Sequence, residues 1–279
     1  MSHVLVNGVR LWVEDSGGDH PPLVFSHGLL WSSRMFDAQV TALRGRYRCI
    51  AWDHRGQGGS DVPPGRGPIT VEECYADAVA LIERLGLGPV HFVGLSMGGL
   101  VGMRLAARRP DLVRSLVLLE SSADPEPAEH VARYRRLAAA LRWLGPVPLA
   151  SRVMPILFGR TFLTDPARAD DRELWRAQLV RNRRSIARAV LGVIEREGVH
   201  DELSRITAPT LVVVGSEDVA TVPARSERLA AAIAGAQLTI VPAAGHSSTV
   251  EQPDRVTALL AEFLAEVRST TTAAAPVRA

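Results

Sequence analysis

The strongest chemical signal in the sequence is a serine between two glycines, Gly94-Leu95-Ser96-Met97-Gly98. An apolar run, 90–93, precedes it, and a helix-like pattern follows it. A serine on such a strand-to-helix turn takes up a strained backbone conformation that exposes its hydroxyl, and the flanking glycines let neighbouring backbone pass without a Cβ. The sequence therefore predicts a nucleophile at Ser96.

A serine hydroxyl is a weak nucleophile at neutral pH, so it needs a base and a carboxylate that orients the base. His246 follows the apolar run 237–241, and Asp218 follows the run 210–214. Both are expected in loops at the carboxyl edge of a parallel sheet, where Ser96 also emerges. The chain order Ser, Asp, His is typical of this geometry. We predict His246 as the base and Asp218 as the acid, with Glu120 and Glu217 as alternative acids.

The sequence lacks the residues that several other kinds of catalysis require. All 32 basic residues are arginines, which excludes a Schiff-base lysine, a Ser-Lys dyad and a Walker lysine. The glycine-rich loop 53–61 contains neither GxGxxG nor GK[ST]. Cys49 and Cys74 have no metal-ligand spacing and are expected to be buried. We therefore expect no cofactor and no metal.

Composition bounds the class of protein and its partners. The chain has 279 residues, 47% hydrophobic and 22% charged, and a net charge of +2. These values are typical of a globular protein and argue against nucleic acid as the main partner. No apolar stretch reaches the roughly 18 residues of a membrane span, and the first residues do not resemble a secretory signal. We expect a cytoplasmic protein with a small-molecule substrate; the oligomeric state stays open.

The elements that must position the three residues follow an α/β pattern. Asn7-Gly8 predicts a hairpin between two short strands at the start of the chain. Apolar runs then alternate with helical patterns up to Leu119 and again from Thr210. Such alternation predicts a parallel sheet with right-handed crossovers. The predicted strands are 3–6, 9–14, 23–25, 47–52, 90–93, 112–119, 210–214 and 237–241.

The interval 121–206 interrupts this alternation with helical patterns and no convincing strand. We predict that it forms a helical cap outside the sheet, with residues 1–120 and 207–268 as the core and 269–279 as a disordered tail. Between His130 and His200 the sequence has 14 arginines against 6 acidic residues, a local charge of +8. Most of these arginines are expected in solvent, although one could turn inward to bind a substrate carboxylate.

Aromatic residues near the predicted loops and in the cap suggest a closed apolar pocket for small substrates. The candidates for its lining are Trp31, Phe36, Trp143, Phe158, Phe162 and Trp175.

Five segments together resemble the α/β-hydrolase fold superfamily, in its esterase, enol-lactonase and non-haem haloperoxidase-like branch. The resemblance implies a mostly parallel eight-stranded sheet, a helical cap after the sixth strand and no cofactor. It also implies an oxyanion hole formed by the backbone amides of Leu29 and Met97. The segments are His27-Gly28, Asp53-x-Arg55-Gly56-x-Gly58-x-Ser60, Gly94-x-Ser96-x-Gly98-Gly99, Gly215-x-x-Asp218 and Gly245-His246.

The nucleophile narrows the expected reaction. Haloalkane dehalogenases and epoxide hydrolases look similar but place an aspartate where this chain has Ser96. The sequence thus predicts hydrolysis of a small carboxylic ester or lactone through an acyl-enzyme. Alternatives on the same triad are a carbon-carbon bond hydrolase and a perhydrolase, and a further alternative is a non-enzymatic receptor or interaction protein on the same scaffold.

Overall fold

One sheet of eight strands forms the centre of the structure, a computed structural model that describes residues 1–273. The strands are β1 (Ser2–Val6), β2 (Val9–Asp15), β3 (Pro22–Ser26), β4 (Arg48–Trp52), β5 (Val90–Leu95), β6 (Val113–Leu119), β7 (Thr210–Gly215) and β8 (Gln237–Val241). They lie in the order β1-β2-β4-β3-β5-β6-β7-β8. The pairs β1-β2 and β2-β4 are antiparallel, and the other five pairs are parallel. This architecture confirms the predicted fold class.

The central strands are continuous apolar runs. Their residues are buried on both faces of the sheet because helices cover both faces. Every residue of β5 and of β7 is buried, which is typical of parallel strands inside an α/β fold. At the edge of the sheet, β8 buries only Val241. Burial along the whole of β5 therefore fixes the position of the residue that follows it, Ser96.

The α-helices fall into two groups, one around the sheet and one between β6 and β7. In chain order they are α1 (Asp37–Leu43), α2 (Val71–Arg84), α3 (Met97–Arg108), α4 (Ala128–Leu144), α5 (Ala150–Leu157), α6 (Arg160–Thr164), α7 (Ala169–Val180), α8 (Ile186–Ile194), α9 (Pro223–Ala232), α10 (Ser248–Glu251) and α11 (Pro253–Ala273).

The first three and the last three helices flank the sheet. The helix α3 contacts β3, β5 and β6, α9 contacts β7 and β8, and α1 contacts α11. The start of α2 has a capping box, in which Thr70 and Glu73 each accept a hydrogen bond from the other's backbone amide. The helix α3 begins directly after Ser96, so its packing against three strands holds the serine turn in place.

Between β6 and β7 the chain is helical and contains no strand. We refer to residues 128–194, which include α4 to α8, as the helical segment. Its most extensive internal contact is between α4 and α8, because the apolar residues of α8, such as Ile186 and Val190, are buried. The division of the chain into a core and a cap remains a prediction.

Three smaller predictions can be compared with the structure. Helix α11 continues to Ala273, so it includes residues 269–273 of the predicted disordered tail, and 274–279 lie outside the described residues. Both cysteines, Cys49 and Cys74, are buried and free. Within residues 1–273, no helix combines the length and the apolar character that crossing a membrane requires.

Candidate active site

Ser96 lies on the sharp turn between β5 and α3, with φ 51° and ψ −109°. Its amide donates a hydrogen bond to the Leu119 carbonyl at 2.8 Å. A Cβ on Gly98 would overlap the carbonyl of Ser26, and a Cβ on Gly94 would overlap the backbone of Gly98. The two glycines therefore allow the close packing that holds the serine in a conformation rarely adopted by residues with a side chain.

The structure brings together the three residues predicted to form a triad. His246 Nε2 lies 2.8 Å from Ser96 Oγ, and His246 Nδ1 lies 2.8 Å from Asp218 Oδ2. The other carboxylate oxygen of Asp218 accepts the amides of Ala220 and Thr221 at 2.8 and 2.9 Å. Because a carboxylate only accepts, Nδ1 carries the imidazole proton and Nε2 is free to accept the serine proton.

The alternative acid Glu217 is occupied elsewhere. Its carboxylate accepts hydrogen bonds from the Thr161 amide at 2.8 Å and from the Thr161 hydroxyl at 2.5 Å. These bonds join the loop after β7 to α6 of the helical segment. Glu217 therefore binds α6 and does not orient His246.

The pKa of His246 is raised above its ordinary value. Burial by itself lowers this pKa, because it disfavours the imidazolium, but the charge and hydrogen bond of Asp218 and the charge of Glu251 outweigh burial. A base with a raised pKa binds the serine proton more strongly in the transition state. The carboxylates around His246 thus favour proton transfer from Ser96.

Glu251 was not foreseen from the sequence, and it supports the loop that carries His246. Its side chain is buried, and its Oε2 accepts the amides of Gly159 at 2.8 Å and Gly245 at 3.0 Å. Its Oε1 accepts the amide of Ser247 at 3.1 Å. Both chain neighbours of His246 therefore donate to this one carboxylate.

The other alternative acid, Glu120, is fully buried at the end of β6 and has φ 46°. Neither of its carboxyl oxygens has a hydrogen-bond partner of ordinary geometry among the described residues. Burial, followed by the charges of Asp218 and Glu251, raises the pKa of Glu120 well above its ordinary value. Glu120 therefore does not occupy the orienting position beside the histidine, although it lies on the same cavity as Ser96.

The loop after β3 lies beside the serine turn. A Cβ on Gly28 would be 3.7 Å from Ser96 Cβ, and Leu29 lines the same cavity as Ser96. His27 Nε2 accepts the His54 amide at 2.9 Å, so we assign the proton to Nδ1, which donates to the Gly28 carbonyl at 2.7 Å. The residue after Leu29, Leu30, has φ 73°, and its amide donates to Gln57 Oε1 at 3.0 Å. These bonds fix the backbone on both sides of Leu29.

The amides of Leu29 and Met97, predicted to form an oxyanion hole, have no acceptor among the described residues. Met97 is the first residue of α3, where the amides of a helix are unpaired and the helix dipole is positive. Both amides are therefore available to an oxygen of a ligand.

A cavity of about 170 Å³ contains Ser96 and His246. This volume is below the roughly 300–1,000 Å³ of pockets for drug-sized ligands. Most of its wall is apolar and comes from the helical segment. Among the lining residues are Leu137, Leu141, Leu149, Leu157, Ile186 and Val190.

Of the six aromatic residues predicted to line the pocket, only Trp31 lines this cavity. Trp143 is 73% exposed, because the end of α4 on which it lies turns that face to solvent. Phe36 is fully buried against Phe25, with ring centroids 5.0 Å apart, in the core. The predictions for Trp143 and Phe36 are wrong because periodicity does not say which apolar face turns to the site.

The remaining three aromatic residues lie behind Trp31. Phe158 and Phe162 are buried and stacked at 4.7 Å, and Phe158 lies 5.7 Å from the Trp31 ring. The ring of Trp175 meets Trp31 edge-on at 5.2 Å. These three residues do not line the cavity that contains Ser96, so the prediction is corrected for them as well, although Trp175 lines a second cleft beside it.

A second cleft of about 600 Å³ shares Leu30, Trp31 and Asn182 with the first cavity. The Asn182 side-chain amide donates to the Leu30 carbonyl at 2.8 Å. This hydrogen bond joins the residues following α7 to the loop after β3. The wall between the two spaces therefore includes one bond from the helical segment to the sheet edge.

In the part of the chain that the structure describes, no group of three or more His, Cys, Asp or Glu side chains is arranged to hold a metal ion. The expected absence of a cofactor stays a prediction.

Among the proteins that are similar to this chain are two solved structures and one sequence relative. A malate-bound esterase from Thermogutta terrifontis is 32% identical with a TM-score of 0.88, over 96% of this chain and 99% of that one. The enol-lactonase from Burkholderia xenovorans LB400 is 30% identical with a TM-score of 0.87, over 95% and 100%. A proposed carbamate hydrolase, RutD, from Stutzerimonas stutzeri is 30% identical over 257 residues, 89% of this chain and 93% of the relative.

Residues 23–259 match the model of a family described as the alpha/beta hydrolase family. The match spans β3 to the middle of α11 and includes Ser96, Asp218 and His246. Together with the solved structures, it confirms the predicted family and the prediction that the chain is an enzyme. The chain belongs to the alpha/beta hydrolase family.

Proposed function

We propose that this protein is a serine hydrolase that cleaves a small carboxylic ester or lactone through an acyl-enzyme. The observation that carries the proposal is the continuous hydrogen-bonded chain from Ser96 to His246 to Asp218, with 2.8 Å at each step. Hydrolase relatives, an esterase and an enol-lactonase among them, support the same class of reaction.

The first half of the reaction forms the acyl-enzyme. Ser96 Oγ attacks the carbonyl carbon while His246 Nε2 takes the hydroxyl proton, and the carbonyl oxygen becomes an oxyanion. The amides of Leu29 and Met97 donate to that oxyanion, and each such donor typically contributes about 100- to 1,000-fold in rate. The carbon-oxygen bond to the alkoxide then breaks, and the alkoxide takes the proton from His246.

The second half releases the acid. His246 Nε2 takes a proton from water, the hydroxide attacks the acyl carbon, and Ser96 leaves with the proton returned by His246. When the substrate is a lactone, the alcohol formed in the first half stays attached to the acyl group until this step. Asp218 holds the imidazole in the required tautomer throughout.

The size of the cavity supports a short acyl group. At about 170 Å³ it has room for a few carbon atoms beyond the scissile carbonyl, and its apolar wall suits an alkyl chain. We therefore expect ethyl esters of four- and five-carbon acids to be hydrolysed faster than esters of long-chain acids. A preference for long acyl chains would contradict this part of the proposal.

The experiment uses purified wild type, Ser96→Ala, His246→Ala and, as a matched control, Ser151→Ala, which removes an exposed serine on α5. Hydrolysis of ethyl butyrate should fall by about 10⁴- to 10⁶-fold in the first two variants and stay unchanged in the control. A fluorophosphonate should add one phosphonyl group to wild type and to Ser151→Ala but not to Ser96→Ala, by intact mass. Retention of most activity in Ser96→Ala would contradict Ser96 as the nucleophile. Wild type that neither hydrolyses the ester nor forms an adduct would contradict a serine hydrolase and favour a receptor on this scaffold.

A further inference from the structure

One arginine faces the cavity that contains Ser96. Arg196 follows α8, its side chain is 7% exposed, and no other arginine of the described residues lines this cavity. A buried guanidinium in an apolar wall is costly to place unless its N–H groups are used. The N–H groups of Arg196 that have no protein acceptor therefore indicate which kind of ligand atom the cavity can bind.

Three of the five N–H donors of Arg196 have protein acceptors. Nε donates to the Asp124 carbonyl at 3.2 Å, and Nη1 donates to Glu126 Oε2 at 3.1 Å and to the Val193 carbonyl at 2.8 Å. No described residue accepts from Nη2. The guanidinium is thus held by three hydrogen bonds through Nε and Nη1, and the two donors of Nη2 have no acceptor among the described residues.

A further unused donor lies on the same cavity. Tyr134, on α4, lines it, and its hydroxyl has no hydrogen-bond partner among the described residues. The Tyr134 ring is held by contacts with His130 and Arg133. Donors from α4 and from the chain just after α8 therefore both line a cavity whose wall is otherwise mostly apolar.

The charge of this part of the wall is balanced. Glu126 lines the cavity and pairs with Arg196, and another basic side chain, His130, has its Nδ1 3.5 Å from Glu126 Oε1. Arg104 and Arg225 also act on Arg196, but neither lines the cavity, and Arg104 pairs with Glu72. Arg133 and Arg225 also act on Tyr134 without lining the cavity. A ligand carboxylate here would therefore lie beside Glu126 with no unpaired cation among the lining side chains.

We propose that Arg196 Nη2 and the Tyr134 hydroxyl form a subsite for an uncharged oxygen acceptor, such as a ketone, on the acyl part of the substrate. This subsite rests on the proposed function, because it places the acyl chain between Ser96 and the helical segment. It distinguishes neutral oxo-acyl substrates, which it favours, from carboxylated ones, which Glu126 disfavours.

The test compares three ethyl esters of matched shape: ethyl pentanoate, ethyl 4-oxopentanoate and monoethyl succinate. The last two differ only by a methyl group in place of a carboxylate oxygen. We expect kcat/KM for ethyl 4-oxopentanoate to exceed that for ethyl pentanoate by about ten-fold, as one hydrogen bond to a charged donor allows. Monoethyl succinate should be the slowest of the three.

Two variants and a control locate the effect. Tyr134→Phe keeps the ring and removes one donor, and the double variant Arg196→Leu/Glu126→Leu removes the ion pair without leaving a lone buried charge. The ratio of the oxo ester to ethyl pentanoate should fall about three-fold in the first variant and to about three in the second, because each variant removes one of the two donors. In the control Arg152→Leu, on the exposed side of α5, the ratio should stay at the wild-type value.

The inference fails if monoethyl succinate is the best ester, or if the ratio is near one in wild type, or if it is unchanged in the folded double variant. Phosphonate labelling of Ser96 and the melting temperature report whether that variant is folded. Failure of the proposed function differs from these outcomes, since wild type would then hydrolyse none of the three esters, which overturns the subsite as well.

Discussion

The Glu251 carboxylate accepts the Gly159 amide at 2.8 Å through the same oxygen that accepts the Gly245 amide. Gly159 directly precedes α6 in the helical segment, whereas Gly245 directly precedes His246. A Cβ on Gly245 would overlap the backbone of Gly159. The helical segment and the histidine loop are therefore fixed to each other through Glu251.

Replacing Glu251 with Gln should shift the pH dependence of the reaction. His246 must be neutral to act as the base, and the charge of Glu251 helps to raise its pKa above the ordinary value. We expect the acidic limb of kcat/KM for ethyl butyrate to move to lower pH in Glu251→Gln, because the imidazolium loses a favourable charge. In Glu262→Gln, an exposed position on α11, the limb should stay in place. A lower rate with an unmoved limb would show that Glu251 acts only on structure.

Asp218→Asn should leave a folded protein with turnover reduced by about 10⁴-fold, because an amide no longer fixes the proton on Nδ1 of His246. Glu120→Gln should change turnover by less than about ten-fold, since Glu120 makes no hydrogen bond to the histidine. Steady-state kinetics on ethyl butyrate would check both variants. The reverse order of the two effects would assign the orienting carboxylate to Glu120.

Glu120→Gln should also stabilise the protein in a pH-dependent manner. The pKa of Glu120 is raised in the folded state, so its stabilising contribution is complete below the unfolded-state pKa and is lost as the pH rises towards the folded-state pKa. The variant should therefore melt at a higher temperature than wild type near neutral pH, by about 2–4 °C for each kcal/mol. Calorimetry at about pH 4 and below, under the unfolded-state pKa of a glutamate, should find similar melting temperatures for the two proteins. A difference that is constant with pH would contradict the role of ionisation.

Gly98→Ala should destabilise the protein and displace Ser96, because its Cβ would overlap the Ser26 carbonyl inside the core. We expect a loss of about 1–3 kcal/mol, typical of overpacking. Gly45→Ala is the matched control, since Gly45 is exposed and nothing lies within 4 Å of the position that its Cβ would take. Urea unfolding would measure both, and equal stability of Gly98→Ala and wild type would contradict the packing argument.

The strands and the geometry of the triad follow closely from local patterns. The runs around Val90 to Leu95 and Thr210 to Gly215 are buried at every position, and a parallel sheet brings their carboxyl ends to one edge. Ser96 and Asp218 come directly after or soon after those runs, so spacing along the chain is enough to place them. His27 and His54 also lie at this edge, but the His27 ring bonds to the backbone of Gly28 and of His54 and not to Ser96.

The supporting residues could not be found in this way. The three amides that Glu251 accepts come from two separate parts of the chain, and Asn182 reaches Leu30 across 152 positions. Nothing in the sequence distinguishes Arg196 from the other arginines of its charged interval. Its role depends on the rotation of the chain after α8 towards the cavity, which helical periodicity alone does not specify.

The reacting groups and the wall of the cavity come from different parts of the chain. Ser96, Asp218 and His246 lie on loops of the sheet, whereas most of the apolar wall lies on α4, α5 and α8. Changes in that wall can therefore accumulate during divergence while the reaction is preserved. A substitution library confined to cavity-facing positions such as Leu141, Leu149 and Val190 would be expected to yield variants with new acyl preferences at a higher frequency than random mutagenesis of the whole gene.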